Sequence, residues 1–142
     1  MAATRTLFVG GTGVISSACV AEALEAGHEV TVVNRGSSGA RPLPEGVEVL
    51  HADIRDPESV HAVLGERSFD VAAGFLAFTP EHVRTDFALF EGRVGQYVFI
   101  SSASAYQTPP SRLPVTESTP LRNPFWQYSR DKIACEDLLM EA

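Results

Sequence analysis

Basic side chains are scarce in this sequence. Eleven Lys and Arg stand against eighteen Asp and Glu, and the basic ones are scattered. A formal net charge of −7 and an isoelectric point near 5.0 exclude a nucleic-acid partner, which needs a concentrated basic surface. Long apolar runs are missing too. The longest, around Val71–Phe78, falls far short of the roughly 20 residues that span a bilayer, so no membrane partner is expected. The opening residues MAATRTLFVG lack the charged-then-apolar pattern of a secretion signal. Cysteine is nearly absent, and Cys19 and Cys135 both fall in apolar helical patterns. They read as buried free thiols of a reducing compartment, which makes the cytosol the expected address. His28, His51, His61 and His82 are too widely spaced to read as metal ligands, so no metal is expected. Internal repeats and low-complexity tracts are absent as well.

What is present alternates. The 142 residues suit one domain, 1–142, large enough for a hydrophobic core. TLFVGG is a short apolar run closed by glycines, as a buried parallel strand requires. A helical stretch follows from Val14 to Ala26 and ends at Gly27. HEVTVVNR is a second strand and GVEVLHAD a third. DPESVHAVLG reads as a helix capped by Asp56, with Pro57 at its first position. FDVAAGFLAF supplies a fourth strand, Pro80–Phe90 a helix and QYVFISS a fifth strand. Five of the nine prolines lie between Ala103 and Gln127 among Ser and Thr, which predicts an irregular loop. Tyr128–Glu141 closes the chain as a helix, with Phe125 and Trp126 expected to pack against it. Strand and helix in alternation predict an α/β fold: a Rossmann-type, doubly wound parallel sheet of about five strands with right-handed crossovers.

FVGGTGVISS sets Gly11, Gly13 and Ser16 in a G-x-G-x-x-S pattern between the first strand and the first helix. Glycines there allow a tight turn and let the backbone approach a pyrophosphate, whose charge meets the helix N-terminus. Ser16 replaces the usual third glycine or alanine; it is small enough for close packing, and its hydroxyl is placed to reach a phosphate. About twenty residues on, an NAD site offers an acid to the adenosine ribose. Here the second strand ends in Asn34, Arg35 and Gly36, with no carboxylate. A guanidinium accepts a 2′-phosphate that an acid would repel, so Arg35 favours NADP(H), with NAD possible. Arg35 also fits a plain solvated loop.

The glycine turn, HADIRD, VFISSASAY, LPVTESTPLRNP and YSRDK, in this order, resemble the extended short-chain dehydrogenase/reductase family. Within that family the match is to the NAD-dependent epimerase/dehydratase group, and it covers essentially the whole chain. The resemblance implies that Ser102, Tyr128 and Lys132 are the catalytic serine, tyrosine and lysine. The register four residues before Tyr106 selects Ser102 over Ser101 and Ser104. Gly10 and Gly13 fall on the family's first two glycines, and Asn34 stands where NAD-specific members carry aspartate. Asp53, with Ile54 beside it, ends the third strand where such folds hold the adenine ring. The family's helix asparagine has no clear match, and Asp86 is the nearest polar candidate. The family also implies a small-molecule substrate bearing a hydroxyl or keto group, such as a nucleotide sugar. It further implies a dimer through Pro80–Phe90 and Tyr128–Glu141.

The chemistry of the trio has its own physical reason. A tyrosine titrates near 10, and bringing it to about 7 takes roughly 4 kcal/mol. A lysine ammonium about 4 Å away, at an effective dielectric near 20, supplies about that much. Residues four apart share a helix face, so Lys132 can lie beside Tyr128 or bind a ribose between them. A phenolate then takes a hydroxyl proton while the nicotinamide takes the electrons, and Ser102 holds the substrate oxygen.

Family members continue past this helix with a region that closes over the substrate. The chain therefore reads as the cofactor half of a longer enzyme, with a bare sheet edge at the fifth strand. Alone it is expected to bind cofactor and turn over poorly. A non-catalytic dinucleotide-binding or redox-sensing module is the alternative function.

Overall fold

The computed structural model describes residues 2–36 and 41–142, which divide into two compact units. The first comprises residues 1–76 and 85–100, the second 77–84 and 101–142.

The first unit is a parallel five-stranded sheet. Its strands are β1 (Arg5–Val9), β2 (Glu29–Asn34), β3 (Glu48–His51), β4 (Phe69–Gly74) and β5 (Val94–Phe99), in the order β3-β2-β1-β4-β5. Strand residues alternate between the faces, so β1, β2, β4 and β5 feed two cores. Leu7, Val9 and Val33 join Ile54, Val60, Leu64, Phe69, Ala72, Leu89 and Phe90 on one side, where α2 (Pro57–Leu64) packs. Phe8, Val30, Val32 and Ala73 join Val20 on the other, where α1 (Val14–Glu25) packs. Burial on both faces explains the valine-rich, non-alternating look of β1 and β2. The strand order reverses at β1, between crossovers to β2 and to β4. That switch point opens a crevice beyond the strands' carboxyl ends, where the glycine turn lies.

Helix α2 begins as its sequence predicts. Asp56 is the N-cap, Pro57 follows, and the Asp56 carboxylate accepts from the Ser59 amide at 3.4 Å. β4 stops at Gly74 and does not run on to Phe78. Its last ladder partner is Phe99, and beyond that point the apolar residues serve packing: Phe75 stacks on Phe8, with ring centroids 6.1 Å apart, and Leu76 packs into the first core. Gly74 is required where it is, because a Cβ there would lie 2.4 Å from the Tyr97 hydroxyl oxygen. β5 starts two residues earlier than the sequence suggests and ends at Phe99, leaving Ser101 and Ser102 beyond the strand.

Helix α3 (Pro80–Phe90) has the predicted bounds and runs through both units. In the second unit, α4 (Gln127–Glu141) starts one residue early. The stretch 103–127, expected to be irregular, is partly ordered. A 3-10 turn covers Ala103–Ala105, and Tyr106 bridges Leu121 antiparallel. The Gln107 and Thr108 amides donate to the Pro120 and Arg122 carbonyls at 2.8 and 2.9 Å. Proline forbids a ladder only through its own missing N–H, and here it serves as acceptor. No helix among the described residues is long and apolar enough to cross a membrane.

Candidate functional site

The glycine turn leaves β1 with the chain folded tightly under its own first helix. Gly10 takes φ +88, a left-handed conformation, while its amide donates to the Val33 carbonyl at 2.9 Å. A Cβ on Gly11 would stand 2.8 Å from Val32 Cγ1, so only glycine leaves that cradle open. Gly13 is the N-cap of α1, and the first turn of the helix carries no acidic side chain. An N-terminus with unpaired amides and no competing carboxylate fits a pyrophosphate. Ser16 is 4% exposed, and its Oγ accepts the Gly13 amide at 3.0 Å, so the hydroxyl braces the turn. Arg41, which carried no role in the sequence reading, donates to the Thr12 carbonyl at 3.5 Å beside this turn.

At the end of β2, Asn34 Oδ1 accepts from the Gly36 amide at 2.8 Å and pairs with His51 Nδ1 at 3.2 Å. Arg35 is exposed. His51 reaches this corner because β2 and β3 align Asn34 with His51, a register that spacing along the chain does not reveal. Asp53 forms a local turn, its Oδ1 accepting from the Arg55 amide at 2.9 Å. Ile54 is 5% exposed with its side chain in the core, so a ligand would meet its backbone alone. Asp86 lies buried, 1% exposed, with Tyr97 donating its hydroxyl to Oδ2 at 2.5 Å. Burial pushes its carboxyl above the ordinary range, against the opposing Tyr97 hydrogen bond and the Arg55 charge.

Ser102, Tyr128 and Lys132 all belong to the second unit. Lys132 is 2% exposed and donates from Nζ to the Ala77 carbonyl at 2.8 Å. Its ammonium lies 5.2 Å from the Phe78 ring centroid and 5.7 Å from that of Tyr128. Burial pulls the ammonium below the ordinary lysine value, while Cys135 and Glu136 oppose that shift. Tyr128 is half-buried, with Trp126 at 4.8 Å and Phe78 at 6.5 Å between ring centroids. Trp126 thus touches the tyrosine, but it is 55% exposed and Phe125 74%; the expected packing of Phe125 on the helix is not found. Ser102 caps the 3-10 turn, and the Ser104 amide donates to its Oγ at 3.2 Å. Ser101 is committed elsewhere, donating to the Glu136 carboxylate. Cys135 is buried and its thiol is pushed up to about 11 by that burial, so it stays protonated at neutral pH; Cys19 is half-buried. Among the described residues no His, Cys, Asp and Glu group of metal-binding size gathers.

Comparison with known proteins gives the chain's relatives. UDP-glucose 4-epimerase of Streptomyces lividans is 33% identical over 95% of this chain and 46% of its own length. The chain spans about half the length of the curated relatives it matches. The UDP-Glc/GlcNAc 4-epimerase of Campylobacter jejuni superposes with a TM-score of 0.80 at 22% identity, over 97% of this chain and 48% of that one. The Bordetella bronchiseptica enzyme WbmH, solved in complex with NAD+, superposes at 0.75 and 20% identity over 99% and 53%. The model of the NAD-dependent epimerase/dehydratase family matches residues 6–142, and the chain belongs to that family.

Proposed function

We propose that this chain is the dinucleotide-binding and catalytic part of an oxidoreductase or epimerase. Its substrate is a small molecule with a hydroxyl or keto carbon, of the nucleotide-sugar class that relatives' names carry, and NADP(H) is preferred over NAD(H). One observation carries this reading. Lys132 is the only lysine among the eleven basic residues, and it is buried beside the Tyr128 ring. A lysine kept for solubility belongs at the surface, and burying an ammonium costs several kcal/mol. Spending the sole lysine in that position is explained by chemistry at Tyr128.

The roles follow from the residue types. The nicotinamide, when bound, supplies reversible two-electron redox chemistry at the substrate carbon. Tyr128 exchanges the proton of the substrate hydroxyl, Ser102 donates a hydrogen bond to the same oxygen, and Lys132 sets a positive charge beside the Tyr128 ring. The turn at Gly10, Gly11 and Gly13 and the amides opening α1 hold the pyrophosphate, while Ser16 braces that turn. Asn34 and Arg35 meet the adenosine ribose and its 2′-phosphate. Asp53 and the backbone of Ile54 meet the adenine.

The test uses the protein with any residues that naturally follow Ala142. Tyr128→Phe is expected to lower turnover on nucleotide sugars at least about a hundredfold and to leave cofactor affinity within about twofold. Lys132→Ala is expected to damage both. Full turnover by Tyr128→Phe would hand the chain to the alternative, a non-catalytic dinucleotide-binding module.

A further inference from the structure

A line of hydrogen bonds in the second unit runs from Asn123 to Ser102, and its first bond is directed at the far end. Asn123, 8% exposed, accepts the Phe125 amide on Oδ1 at 3.2 Å and donates from Nδ2 to the Ser104 carbonyl at 2.9 Å. Those two contacts decide which end of the amide is oxygen and which nitrogen. The same Nδ2 reaches Ser129 Oγ at 3.4 Å, and a nitrogen of this kind can only donate. Ser129, fully buried, has therefore used a lone pair on Asn123, and its own hydrogen goes to Ser104 Oγ at 2.9 Å. Ser104 Oγ in turn accepts from Ser129 and lies 2.8 Å from Ser102 Oγ, a pair in which either hydroxyl can donate; within this line Ser102 Oγ is the acceptor open to the Ser104 hydrogen. The Ser104 amide donates to that same oxygen at 3.2 Å.

A serine oxygen has two lone pairs and one hydrogen. With the Ser104 hydroxyl as donor, both lone pairs of Ser102 are taken by Ser104, the hydrogen is the only valence left, and it points away from the line. We propose that Asn123, Ser129 and Ser104 are positioning residues that set the Ser102 hydroxyl as a hydrogen-bond donor toward the substrate oxygen. The proposal rests on the catalytic reading of Ser102 above. Were Ser102 the donor instead, Ser104 would accept twice, its own hydrogen would find no acceptor within the line, and Ser102 would turn its hydrogen inward. Direction therefore separates a serine ready to stabilise developing negative charge from one that must first reorient. Burial of Ser129 and Asn123 keeps water from substituting for either.

Two measurements test this. Neutron diffraction from deuterated crystals of the wild-type protein is expected to place the Ser104 deuteron between the two Oγ atoms and the Ser102 deuteron off that line. A Ser102 deuteron directed at Ser104 Oγ overturns the proposal, whatever the chain's activity. Kinetically, Ser104→Ala and Ser129→Ala are each expected to lower kcat about five- to tenfold with KM within about twofold, the loss of one neutral hydrogen bond. Ser104→Thr, which keeps the hydroxyl, is expected to restore kcat. Unchanged kcat in both alanine variants, in a protein that Tyr128→Phe inactivates, refutes the positioning role alone. Full turnover with both Tyr128→Phe and Ser102→Ala refutes the underlying catalytic reading instead.

Discussion

Asp86 sits on α3 with one carboxylate oxygen taken by the Tyr97 hydroxyl and the other, Oδ1, buried with no hydrogen-bond partner among the described residues. Its carboxyl is raised by desolvation, so the folded chain holds a proton there at pH values where the unfolded chain has released it. Stability falls as pH rises through that window and stays lower above it. Asp86→Asn removes the buried charge and keeps an acceptor for Tyr97. Urea unfolding is expected to show the variant more stable by about 1–3 kcal/mol at pH 7, with the difference gone near pH 4. A less stable variant at pH 7 would mean that attraction to Arg55 outweighs desolvation. No sequence signal announced this group. Asp86 drew notice as a stand-in for a family asparagine, and only the tertiary packing of Tyr97 shows that it faces the core.

At the scale of elements, the proposed cofactor preference belongs to the end of β2. Asn34 spends its Oδ1 on Gly36 and His51, so this strand end offers no carboxylate to a ribose. Arg35 stands exposed next to it. Titration by cofactor fluorescence is expected to show tighter binding of NADPH than of NADH, and Arg35→Ala is expected to lose about 1.5–3 kcal/mol with NADPH alone. Equal wild-type affinities would sink the preference. The elements themselves were legible because period and punctuation agree: valine runs for β1 and β2, Asp56–Pro57 opening α2, and Gly27 closing the turn after α1. Ends were less so. Phe75 and Leu76 look like strand but leave the ladder to pack, and proline hid the pairing of Tyr106 with Leu121. For the candidate site, the family resemblance pointed to Ser102, Tyr128 and Lys132, which all fall in the second unit. The Asn123–Ser129–Ser104 line joins positions 6 and 25 residues apart, and no periodicity carries such a bond.

For the whole molecule, sheet order leaves β5 as an edge strand, with its residues half-buried or exposed. On α4, Leu138 and Leu139 are half-buried and Met140 is 87% exposed. An edge strand and an apolar helix surface favour association. Light scattering is expected to give a dimer or larger species, and a monomer across a wide concentration range would contradict this. The solitary Lys132 has one more consequence. A protease that cuts only after lysine finds a single target in the entire chain, the bond between Lys132 and Ile133, inside α4 and anchored by Nζ to the Ala77 carbonyl. Such an enzyme can cleave only in the moments when that helix opens. Its cutting rate is therefore a built-in stopwatch for the fraying of one helix, read on the native sequence with no label attached.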